Sequence, residues 1–242
     1  MPKTLKEWTV KPHGKLTRVD ASILSVVGEL PMPLGKFPRR MTVIRLDDSR
    51  LVIFSAIALD EHEMKAIEAF GKPSFLIVPS GIHRLDAKIW KDRYPNLCVI
   101  APAGARRKVE EVVHVDRTSI EFADPNVHFI TVPGTDEREA AVVVQTPSGA
   151  ILVVNDLIWN LKHQHGLSAL LFRMLGFLGA HPRPRIPRLV QRKAVKDKPA
   201  LKSQLEEWAA MSGITRIIPS HGEIVTDDAR KVLRELADSL AA

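Results

Sequence analysis

Two β-branched runs, residues 41–46 and 51–55, flank the polar turn Asp47-Asp48-Ser49, and this pattern predicts a β-hairpin. The apolar spacing then changes from period 2 to a helical repeat. Met64, Ala66 and Ile67 share one face behind Asp60, which can cap the helix, and Gly71 closes it, giving a helix over 61–70. Apolar stretches at 74–78 and 97–100 read as buried strands on either side of a short helix over 84–93, and 109–115 reads as a helix end running into a further strand. Three strand-like runs follow at 127–132, 140–145 and 151–154, the last two joined by Thr146-Pro147-Ser148-Gly149 as an antiparallel pair. Beyond an apolar helix over 168–178 come a Pro- and Arg-rich connector over 181–198 and an amphipathic helix over 199–211. The remainder is a strand at 214–218, a loop at 219–222 and a helix opened by Thr226-Asp227-Asp228 and running to Leu240. Residues 1–40 cluster Pro31, Pro33, Gly35 and Pro38 ahead of Arg39 and Arg40, and they read as an irregular N-terminal arm or lid on a single domain over 41–242. No internal repeat is visible.

Composition narrows the class. A chain of 242 residues, 45% hydrophobic and 26% charged, can bury a full core, which excludes disordered and low-complexity classes. Lys and Arg number 35 against 28 Asp and Glu, a net charge of +7, so anionic partners deserve weight. The lone Cys98, set in an apolar strand, permits neither an intramolecular disulfide nor a zinc–cysteine cluster. Residues 1–10 lack a signal-like apolar core, and the apolar stretch over 167–178 is broken by Arg173 and well short of the ~20 residues that span a bilayer. The expectation is a cytoplasmic protein without a transmembrane helix.

The chemistry concentrates in four loops, each after an apolar strand: Pro79-Ser-Gly-Ile-His83-Arg-Leu-Asp86, Val132-Pro-Gly-Thr135, Val154-Asn-Asp156 and Pro219-Ser-His221-Gly222. In order and spacing they resemble the metallo-β-lactamase superfamily, which includes β-lactamases, glyoxalase II-type thioesterases and phosphodiesterases. The resemblance covers about residues 41–240 and implies an α/β (α+β) fold, a four-layer αββα sandwich of two mixed β-sheets flanked by helices, with a helical basic insertion at about 157–200. Periodicity alone supports α/β or α+β. The family's first loop reads H-x-H-x-D-H. Here only His83 falls on a family histidine, Gly81 and Leu85 offer no lone pair, Asp86 stands in a histidine's place, and Thr135 replaces the histidine of the second loop. Asp156 and His221 match the family's bridging aspartate and final histidine.

The resemblance therefore implies an eroded site. Asp86, Asp156 and His221, with His83, can still offer three or four N and O donors, a set suited to one divalent Zn, Mn or Fe. Glu137, with Glu139 close by, can substitute as ligand or general base, or belong to a solvated turn with Asp136 and Arg138. Each residue also has a plainer role: Asp156 as a helix cap, His83 as a neutral core histidine, His221 as a turn histidine, and His163 and His165 as surface groups. The connector gathers Arg183, Arg185, Arg188, Arg192, Lys193, Lys196 and Lys198 without an aromatic side chain, which suits phosphate or an anionic surface and argues against nucleic acid.

Three functions follow. The eroded motif favours a fold member without the usual dinuclear zinc centre and with no metal, binding a small anionic ligand or a protein. The second is a mononuclear metal-dependent hydrolase of an ester, thioester or phosphoester, with Asp156 and His221 catalytic. The third is a peripheral membrane or assembly module using 167–198, with the apolar helix as a homodimer face.

Overall fold

The computed structural model describes residues 4–32, 35–161 and 183–241. Six strands form one sheet in chain order: β1 (Thr17–Asp20), β2 (Ile23–Met32), β3 (Gly35–Arg45), β4 (Arg50–Phe54), β5 (Lys72–Ile77) and β6 (Cys98–Ile100). It is antiparallel from β1 to β4 and parallel from β4 to β6. A second sheet has the order β10-β9-β8-β7, from β7 (Val127–Thr131), β8 (Ala140–Thr146), β9 (Gly149–Asn160) and β10 (Ile214–Gly222), with β10 parallel to β9 and the other pairs antiparallel. Both sheets are mixed.

Strand alternation assigns each residue to a layer. Along β4, Leu51 and Ile53 pack outward with α1 (Glu61–Phe70), α2 (Ala87–Arg93) and α3 (Ala103–Val109), while Val52 and Phe54 pack into the layer between the sheets. Along β9, Ile151 and Val153 face that central layer, and Leu152 and Val154 face α5 (Lys198–Ala210) and α6 (Ala229–Ala241). The result is four layers, αββα, with a central layer of aliphatic and phenylalanine side chains. A short helix, α4 (Arg188–Lys193), precedes α5.

The predicted hairpin is β3–β4, and α1 begins as its sequence requires, the Asp60 side chain accepting from the Glu63 N–H at 3.0 Å. Three elements differ from the sequence reading. Residues 17–40 are not an irregular arm: β1, β2 and the first half of β3 extend the six-stranded sheet, with Glu29 opposite Pro38 and Pro31 opposite Lys36. The run Ile23-Leu24-Ser25-Val26 carries the strand signal, and Pro31 and Pro38 lie within the paired strands. The third helix spans 103–109 rather than ending at 115, and Pro102, which donates no N–H, caps its start. Strands β9 and β10 run on to residues 160 and 222, through what reads as two loops. The apolar helix over 168–178, its dimer and membrane roles, and His163 and His165 lie outside the described residues. No described helix is long and apolar enough to cross a membrane.

Candidate metal centre

Strand pairing builds the site. β10 follows β9 in register until Pro219 lies opposite Val154, and then His221 pairs with Trp159, so residues 155–158 of β9 stand opposite Ser220 alone. This wide bulge throws Asp156 out of the ladder and toward His221. From the other sheet, the loop after β5 brings His83 to the same point. His83 Nε2 lies 3.2 Å from Asp156 Oδ1, His221 Nε2 lies 3.0 Å from the same oxygen, and the two Nε2 atoms are 3.1 Å apart. Of the sequence candidates, these three converge.

The outer contacts of each imidazole fix how it faces the centre. His221 Nδ1–H donates to the Pro38 carbonyl at 2.8 Å, so in the neutral ring Nε2 carries the lone pair that points at Asp156 and His83. The rings of Phe37 and Trp159 pack on His221 at centroid distances of 4.9 and 4.3 Å and leave it 2% exposed. Burial pushes the His221 pKa below its ordinary value, against the pull of Asp156. His83 Nδ1 meets Ser55 Oγ at 2.9 Å, and Ser55 adopts a left-handed φ of 57° at the end of β4 to present that hydroxyl. Burial alone would raise the Asp156 pKa, but the two imidazoles beside it, His83 foremost, outweigh it and hold the carboxyl well below the carboxylate range. Asp156 Oδ2 is buried without a hydrogen-bond partner among the described residues.

The other candidates are elsewhere. Asp86, predicted as a ligand, has its carboxylate engaged by both terminal nitrogens of Arg39, one to each oxygen, and Oδ1 also accepts from the Ala58 N–H at 2.9 Å. It lines the same cavity but stands outside the converging set. Glu137 is exposed and turned away by a φ of 54°, so the substitute-ligand reading does not hold for it. The carboxyl that reaches the cavity is Glu139, 4% exposed, accepting from Asn155 Nδ2 at 2.9 Å. Thr135 turns its hydroxyl back to the Val132 carbonyl at 2.7 Å. Sequence reasoning missed Ser55 and Arg39. Ser55 carries no motif, and Arg39 sits 47 residues from the carboxylate that it engages.

Burial, and next the charge of Asp156, raise the Glu139 pKa well above the ordinary carboxylate value. A group raised in this way loses folding stability as pH climbs above its unfolded value toward its folded one. In chelator, Glu139→Gln is therefore expected to stabilise the protein by more than about 1 kcal/mol at pH 8 and to change little at pH 5, as read from urea midpoints at the two pH values.

The donors close one end of a cavity of about 390 Å³. Phe37 of β3, Trp159 of β9, Leu85 of the loop after β5 and Leu189 and Val190 of α4 line it.

No protein-family profile matches the chain, and no curated protein matches it. Solved structures do. The metallo-β-lactamase FIM-1 from Pseudomonas aeruginosa, in its mono-zinc form, aligns over 98% of this chain and 97% of its own with a TM-score of 0.63 and 13% identity. VMB-1 aligns over 97% of this chain and 100% of its own with a TM-score of 0.66 and 14% identity. At such identities the likeness is one of architecture, and together with the αββα layering it establishes that the chain has the metallo-β-lactamase fold.

Proposed function

We propose that this chain is a hydrolase that works with a single divalent metal ion held by His83, Asp156 and His221. The observation that carries the reading is the triangle of donor atoms, 3.0 to 3.2 Å on each edge, facing a cavity beside a buried Asp156 oxygen that has no partner among the described residues. Donors at the usual 2.0–2.2 Å from zinc, in angles between octahedral and tetrahedral, are about 2.9–3.5 Å apart, so the residues fit an ion. Two imidazoles and one carboxylate suit Zn, Mn or Fe. A bound ion would supply Lewis acidity and make water acidic enough to act as a nucleophile near neutral pH.

The chain's own groups do the rest. Pro38 and Ser55 fix the two imidazoles, Phe37 and Trp159 exclude water around His221, and Arg39 neutralises Asp86 in the same cavity. A second ion does not fit: Gly81 and Leu85 carry no donor, the Thr135 hydroxyl donates to a carbonyl, and Asp86 is bound to Arg39. The substrate class proposed for it is an ester, thioester or phosphoester. A metal-free binder of a small anion is the competing reading, and it leaves the convergence of three lone-pair donors on one buried point without a purpose.

Metal content by plasma mass spectrometry on tag-free protein tests this. Near one ion per chain is expected, falling at least tenfold in His221→Ala, with a melting temperature that chelator lowers in the parent protein and leaves unchanged in the variant. Folded protein with metal far below stoichiometry after equilibration with Zn, Mn and Fe would sink the reading.

A further inference from the structure

Away from the three donors, the cavity is an apolar chamber with a cationic mouth. Ile82, next to His83 on the rim, is 77% exposed, the most exposed large apolar side chain among the described residues. Such a residue beside a buried histidine leaves an unfilled apolar surface at the opening. Across from it, α4 turns Leu189 and Val190 to the cavity and carries Arg188, Arg192 and Lys193 as exposed cations, the last also lining the cavity. Elsewhere on the surface Lys88, Arg93 and Arg106 meet Asp92, Glu61 and Glu110. The three α4 cations have no carboxylate partner among the described residues. Burial and the charges of Arg183 and Arg188 lower the Arg185 pKa, and Arg185 is tied by two backbone hydrogen bonds, 2.9 and 3.0 Å, to the cavity residue Trp159. Lys193 on the wall of an apolar chamber, with Arg188 and Arg192 exposed on the same short helix, complements a ligand with an anionic head and a hydrocarbon body.

We propose that the cavity binds a single-chain anionic amphiphile, its hydrocarbon chain among Phe37, Ile82, Leu85, Leu189 and Val190, and its phosphate or carboxylate head at Arg188, Arg192 and Lys193. The hydrolase reading bears on this only for the ligand's fate, making the substrate an ester or thioester of that class. The binding itself needs no metal.

Calorimetry on chelator-treated protein, with decyl phosphate below its micellar concentration, butyl phosphate and inorganic phosphate, tests the proposal. Decyl phosphate is expected to bind at least tenfold more tightly than butyl phosphate, because added methylenes leave water. Val190→Asp and Ile82→Asp, the second at an exposed position that folding tolerates, are each expected to weaken decyl phosphate tenfold or more. The pair Arg192→Glu and Lys193→Glu is expected to weaken it equally and to remove its salt dependence. Equal affinity for the butyl and decyl compounds, or unchanged decyl phosphate binding in folded Ile82→Asp, overturns the proposal. Sedimentation with anionic vesicles separates sources: binding through the same cations assigns the head to a membrane lipid, and decyl phosphate binding without vesicle binding assigns it to a soluble ligand. Zinc titration of the same preparations keeps the two readings apart. Zinc binding without decyl phosphate binding overturns this inference alone, and the reverse overturns the hydrolase alone.

Discussion

Arg39→Ala is expected to lower the unfolding free energy by about 3–5 kcal/mol, the largest single-residue effect anticipated for this chain. The cause is the carboxylate left behind. Asp86 is 1% exposed, and Arg39 supplies its countercharge from a side chain that is itself 8% exposed. Removing one member of such a pair strands a charge in a medium that solvates it poorly, whereas removing both strands none. Asp86→Asn in the Arg39→Ala background is therefore expected to recover most of the loss, since an asparagine oxygen can still accept from the Ala58 N–H. Urea midpoints for the two single variants and the double variant form the cycle. A cost below about 1 kcal/mol for Arg39→Ala would mean that water reaches Asp86, against the burial described.

Gly222→Ala is expected to cost about 2–4 kcal/mol and to weaken metal binding at least tenfold. Gly222 has a φ of 95°, and a methyl group there would lie 2.1 Å from the Asn160 carbonyl oxygen. That oxygen belongs to the neighbouring strand β9 and cannot swing aside. β10 must shift instead and carry His221, the preceding residue, away from Asp156. Gly213→Ala is the control. Its φ of 66° is also left-handed, but the nearest atom to an added methyl is 3.7 Å away, so only the conformational cost of about 1–2 kcal/mol applies. Similar losses at the two glycines, or a folded Gly222→Ala protein with unaltered zinc binding, would show that β10 accommodates the methyl without moving His221.

The sequence made much of this legible, and its failures have specific causes. Unbroken apolar runs such as Leu51-Val52-Ile53-Phe54 and Val142-Val143-Val144 disclose strands because two faces of each are buried in different layers. Asp60 and Gly71 bracket α1 because capping is local. Pro31, Pro33 and Pro38 masked β2 and the start of β3, since proline density near a turn also describes a loop. At the site, motif position singled out His83, Asp156 and His221. It could not foresee that Asp86 pairs with Arg39 and stays outside the converging set, because Arg39 arrives from β3 through sheet topology, which no local pattern encodes. Glu137 and Glu139 differ by two positions and are equivalent on paper. The turn with left-handed Asp136 and Glu137 decides which carboxyl goes inward.

The triad draws His83 from the loop beyond one sheet and both other donors from strands of the second, and two further links cross nearby, His221 to the Pro38 carbonyl and Arg40 to the Gly222 carbonyl at 2.6 Å. Neither half of the sandwich contains the site by itself. A slip of one sheet against the other by a single residue would leave both hydrophobic faces covered yet separate the donors, so any ligand held by all three discriminates correct docking from near misses that burial alone tolerates. The binding free energy of such a ligand is then expended on the seam between the halves, and occupancy proofreads how they meet.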